Sequence, residues 1–160
     1  MSDSNTLLNQ FDRRLIDSLY VEAMVLADEA RSFFDHRAEE HRALLEQIDR
    51  VEFACESLKV TTRLMHVIAW LLTQRAILAG ELDQSVRNQE RYRLGEAAPT
   101  PADISERFSF DMMTLIVASE DLYDRVLRLE RQLIGRGRRG GAVVPLSPAR
   151  DLLTRLERAF

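Results

Sequence analysis

At 160 residues the chain is long enough for one domain with its own core and too short for two, and 46% hydrophobic residues with only six glycines and four prolines exclude collagen-like, low-complexity and wholly disordered readings. The lone cysteine, Cys55, excludes an intrachain disulfide and a cysteine-built zinc site. The net charge of −4 is uneven: from Gly135 onward six arginines meet two acidic residues, +4, whereas residues 1–134 carry 16 basic against 24 acidic, −8.

An acidic body with a basic tail points to a protein-binding or self-docking tail before a nucleic-acid surface. The polar start MSDSNTLLNQFDRR has no secretory pattern. The longest apolar run, LMHVIAWLL, is nine residues against the roughly 20 of a membrane span. No membrane insertion and a cytoplasmic location are expected.

The first helix, about 8–35, carries Ile16, Leu19, Ala23, Leu26, Ala30 and Phe33 at alternating steps of three and four. A tight break follows near His36. The second helix, about 39–79, shows the longest repeat: Leu44, Ile48, Val51, Cys55, Leu58, Thr62, Met65, Ala69, Leu72 and Ala76, an unbroken a/d series that reads as this helix's core seam. From Leu64 onward Val67, Ile68, Trp70 and Leu71 widen its apolar face, so this half is expected to be covered on most sides. Leu64, Val67, Ile68, Trp70 and Leu71 are the residues expected at a homodimer interface.

A polar crossing occupies 80–103, where Asp83 is placed to cap a short surface helix and Pro99 and Pro101 force a restart. The third helix, about 104–134, runs through Phe108, Met112, Leu115, Ser119, Leu122, Val126, Leu129 and Leu133, with Gly135 where a C-cap wants glycine. No stretch alternates with a period of two, so strands are not supported. The expectation is an all-α, antiparallel three-helix bundle over residues 1–134. Residues 135–160 are expected to be a basic tail, flexible by composition through GRGRRGGAVVP. It ends in a short amphipathic helix at 148–159, with Ser147 as N-cap and Pro148 at its first position. Leu152, Leu153, Leu156 and Phe160 share one stripe of that helix, which is too short to stand alone and wants a groove. These four, with Arg136, Arg138 and Arg139, are the expected protein-binding residues of the tail.

Reactive chemistry is scarce. His36 and His41 are five apart, where zinc-binding helices need four, so solvated charge is the better reading of HRAEEH. His66 suits a histidine hydrogen-bonded at the core's edge better than a buried base. Cys55, at a seam position, suits a small hydrophobe, and His66 lies about 16 Å away along the helix, too far to activate it. Ser57, Thr61 and Ala54 form a small-residue strip for which ordinary packing suffices. No phosphate loop or nucleophile motif occurs, and GRGRRGG lacks the interleaved aromatics of a nucleic-acid patch. No catalytic residue, metal or cofactor is expected.

ESLKVTTRLMHVIAWLLTQRAILAGEL, residues 56–82, resembles the alphaproteobacterial RcdA-like family, the regulators of CtrA degradation, many of whose members carry only an unknown-function label. The motif fixes Arg63, Trp70, Gln74 and Arg75 together, and the likeness extends more loosely over 12–134. The resemblance implies a three-helix bundle, commonly dimeric, without catalytic activity. It implies an adaptor that helps deliver CtrA-type cell-cycle regulators to the ClpXP protease. The partners so implied are the protease's unfoldase, a response regulator, a cyclic-di-GMP-responsive protein and cargo, acting in the cytoplasm with a cell pole as one address. A dimeric coiled-coil scaffold with no role in proteolysis is the alternative.

Overall fold

The computed structural model describes residues 2–141. Helix α1 is Ser2–His36, α2 is Ala38–Ala43, α3 is Gln47–Leu78, α4 is Ala102–Ser105 and α5 is Phe110–Gly141. Two short 3-10 turns, Gln84–Asn88 and Glu90–Tyr92, lie in the crossing between α3 and α4. The long α1, α3 and α5 form a three-helix bundle, and there is no strand among the described residues.

The apolar stripes of α1 and α5 form the core as their spacing predicts. Ile16, Leu19, Ala23, Leu26, Ala30 and Phe33 of α1 are buried against Met112, Leu115, Leu122, Val126, Leu129 and Leu133 of α5. At one end Phe33, Phe53 and Phe108 interlock, with ring centroids 6.4 Å apart for Phe33–Phe53 and 5.6 Å for Phe53–Phe108.

Cross-helix pairs fix the directions. Between α1 and α5, Arg37 meets Asp111 at 2.9 Å, Arg125 meets Glu22, and Arg136 meets Asp12 at 3.0 Å. Between α1 and α3, Arg75 meets Asp17 at 3.2 Å and the Arg13 guanidinium donates to the Leu78 carbonyl at 2.7 Å. Thus α1 is antiparallel to both others. Helices α3 and α5 run parallel: Phe53 packs on Phe108, just before α5, at one end, and Gln74 lies at the same corner as Glu130 and Leu133 at the other. Parallel neighbours need a crossover, and residues 79–109 supply it, running back along the outside of the bundle.

The crossing starts from a complete Schellman stop. Gly80 has φ +79°, its N–H donates to the Ile77 carbonyl at 3.1 Å, and the Glu81 N–H donates to the Ala76 carbonyl at 2.9 Å. Asp83 caps the first 3-10 turn as its position predicts, accepting from the Ser85 N–H at 2.8 Å. Those hydrogen bonds hold the Asp83 carboxyl below the usual range.

Three boundaries differ from expectation. The second helix breaks at Leu44–Glu46, and Arg50 closes the gap by donating to the Leu45 carbonyl at 3.0 Å. The first helix begins earlier, at Ser2. The third does not stop at Gly135: α5 continues to Gly141, so the start of the supposedly flexible tail is helical. Glycine inside a helix costs about 1 kcal/mol. Arg136 offsets that by reaching both carboxylate oxygens of Asp12 from the added turn.

Candidate protein-binding surfaces

The largest departure concerns α3. Its unbroken heptad series is not the core seam. Leu44, just before α3, is 87% exposed; on the helix Ile48 is 72%, Leu58 68% and Met65 64% exposed, and Val51, Cys55 and Leu72 are exposed too. The core is met instead by Phe53, Glu56, Val60, Arg63, Leu64, Val67, Trp70, Leu71, Gln74 and Ile77, on the opposite side. The period was right and the face was reversed. A seam of this regularity, uncovered in the single chain, is the surface a further helix fits. Exposed Ala54 and Thr61 beside it, and Ala69 within it, allow close approach. The hydroxyls of Ser57 and Thr61 bond back to their own helix, to the Phe53 carbonyl at 2.7 Å and the Ser57 carbonyl at 2.9 Å.

The reversal displaces the residues expected at a dimer interface. Leu64, Val67, Trp70 and Leu71 are buried in the core of the single chain, and Ile68 is half-buried against it. Their apolar surface is consumed by α1, α5 and the crossing.

The core face of α3 looked polar because it holds the crossing in place. The Arg63 guanidinium, almost wholly buried, donates to the Ala98 carbonyl at 2.7 Å, the Thr100 hydroxyl at 2.8 Å, the Ser119 hydroxyl at 3.2 Å and the Glu120 carboxylate at 3.3 Å. Burial lowers its pKa, opposed by the nearby Glu120, Glu56 and Asp124. Buried Glu56 accepts from the Thr100 hydroxyl and from Lys59 at 2.6 Å. Glu120 accepts from the Thr100 N–H at 2.6 Å. Further along, buried Glu130 accepts from the Leu94 N–H at 2.7 Å, and Gln74 accepts from Arg87 at 2.8 Å. Arg75 lies 4.5 Å over the Tyr20 ring as well as pairing with Asp17. The motif residues Arg63, Trp70, Gln74 and Arg75 are therefore bundle and crossing fasteners.

His66 is half-buried as placed, but its Nδ1 finds no hydrogen-bond partner among the described residues; the ring packs against Gly95, where a Cβ would come within 2.4 Å of it. His41 lies beside Phe33, with its Nε2 3.8 Å from Asp111. No group of three or more His, Cys, Asp or Glu suited to a metal exists among the described residues. No described helix is long and apolar enough to cross a membrane.

A second surface lies at the bundle end where α5 passes α1. A cavity of about 470 Å³ there has Leu8, Leu133, Ile134 and Gly137 among its walls and Asn9, Gln84, Arg87 and Asn88 at its rim. Leu7, Leu8 and Phe11 are exposed beside it. The gap exists because α5 carries Gly137, with nothing within 4 Å of a Cβ built there, one turn past buried Leu133. Of the expected tail residues, Arg136 is spent on Asp12, Arg138 is exposed on α5, and Arg139 lies in its last turn. Leu152, Leu153, Leu156, Phe160 and the short helix at 148–159 lie outside the described residues.

No curated protein matches the sequence. Among solved structures, RcdA from Caulobacter crescentus CB15 is similar over 74% of this chain and 90% of that one, at 30% identity and a TM-score of 0.61. The profile of a family described as protein of unknown function (DUF1465) matches residues 8–160, and the chain, RcdA-like in its bundle, belongs to that family.

Proposed function

We propose that this protein is a non-enzymatic adaptor in regulated proteolysis, helping to deliver CtrA-type cell-cycle regulators to the ClpXP protease in the cytoplasm. The observation that carries the reading is the likeness to RcdA, an adaptor in CtrA degradation, across nine-tenths of that chain. The described surface is consistent with it, because it offers apolar docking faces. The second copy of the chain is the occupant we assign to the α3 stripe: an a/d series from Ile48 to Leu72 is self-complementary, and each large side chain it buries contributes about 1.5–3 kcal/mol. Protein partners of the adaptor, the unfoldase, a response regulator, a cyclic-di-GMP-responsive protein and cargo, then meet the remaining surface and the basic tail.

The test is the half-life of a CtrA-type regulator in cells with and without the protein. Lengthening on deletion, restored by the wild-type chain, supports the adaptor. An unchanged half-life, with the dimer still formed in vitro, rejects it in favour of a coiled-coil scaffold.

A further inference from the structure

The bundle-end notch has a wall of side chains on α1 and a floor that α5 leaves bare. Leu8, in the wall of the notch, is half exposed at 48%, and Phe11, three residues further along α1, is 62% exposed. Gly137 leaves α5 without a side chain where the notch opens, with nothing within 4 Å of a Cβ built there. At the rim Arg87 donates to Gln74; Asp12, which lines the same notch, is paired with Arg136, so among the described residues Arg87 has a nearby carboxylate but no ion pair of its own. Desolvation lowers the Arg87 pKa, opposed by the nearby Asp12.

We propose that the notch is the docking site of this chain's own residues 147–160, whose Leu152, Leu153 and Leu156 cover Leu8 and Phe11 while Asp151 or Glu157 faces Arg87. The connectivity favours this occupant. Helix α5 is antiparallel to α1, and Gly137 already lines the notch, so the described chain stops one turn beyond it at Gly141. Residues 142–146 span up to about 17 Å when extended, enough to reverse direction and return. An intramolecular segment also acts at high effective concentration, which a short amphipathic segment needs. Residues 142–160 carry three arginines against Asp151 and Glu157, a net +1, and residues 1–141 carry a net −5. The inference stands whether or not the protein acts in proteolysis.

Two measurements on the full chain test it. Backbone amide exchange over residues 6–12 should be at least tenfold faster in Leu152→Asp/Leu156→Asp and in Gly137→Leu, which fills the notch from the bundle side, than in the wild type. Gly137 is exposed, outside the buried core. Equal rates in all three proteins overturn the proposal. With Cys55→Ser as background, Leu7→Cys and Leu153→Cys should join through a short bismaleimide within one chain. A dimer-sized product would hand the notch to a second copy's segment, and no product at all would leave the segment elsewhere; either result overturns the assignment.

Discussion

One guanidinium joins three parts of the chain: Arg63 on α3 holds the crossing at Ala98 and Thr100 and α5 at Ser119 and Glu120. Removing one partner of a buried pair strands the other, which costs about 3–5 kcal/mol in a closed site. Glu120 is partly exposed, so Arg63→Met should cost about 3 kcal/mol in urea unfolding, and a loss below about 1 kcal/mol would contradict the clamp. Gly95→Ala should also destabilise, since the His66 ring stands where the new methyl must go, whereas Gly135→Ala, with open space around it, should stabilise the helix by a fraction of about 1 kcal/mol. Thermal melts of the pair check the contrast. Tyr123 donates to the Gly95 carbonyl at 2.7 Å, and burial raises its pKa above the usual 10. A raised folded-state pKa means the stabilisation is complete below pH 10 and is lost as pH rises through the folded value. Tyr123→Phe should flatten the alkaline end of the stability profile, and an unchanged alkaline slope would contradict that role. None of these partnerships is legible in sequence, because each spans 28 or more positions through the crossing.

At the scale of elements, the apolar stripes of α1 and α5 were legible, since apart from Asp12, Ser119 and Glu130 their buried positions are apolar and the stripes keep heptad spacing. On α3 the same rule selects the wrong side. Buried Glu56, Arg63 and Gln74 interrupt the inner face, while the outer face from Ile48 to Leu72 is cleaner than most cores. Hydrophobic periodicity identifies a face that needs covering and does not say which helix covers it. Substitutions should separate the two faces. Trp70→Asp or Leu71→Asp, inside the core, should unfold the protein outright, as polar groups in closed apolar sites do. Leu58→Glu with Met65→Glu should leave helicity and melting of the monomer intact; coincident loss of circular dichroism would show that the stripe supports the fold itself.

For the whole molecule, the parallel pairing of α3 and α5 explains why the chain spends residues 79–109 on a return path, which is tied down by Arg63 and Gln74 of α3. The heptads disclosed three helices and a long connection, and the antiparallel order expected of them holds for α1 against both neighbours, while α3 and α5 run parallel. The same fastening leaves one side of α3 bare, and the account turns on what that side is for. Sedimentation velocity of the wild-type chain and of Leu58→Glu/Met65→Glu, at tens of micromolar, tests it most directly. The account predicts a wild-type dimer and a folded monomer for the variant. A wild-type monomer, or a dimer that survives both substitutions, would contradict it.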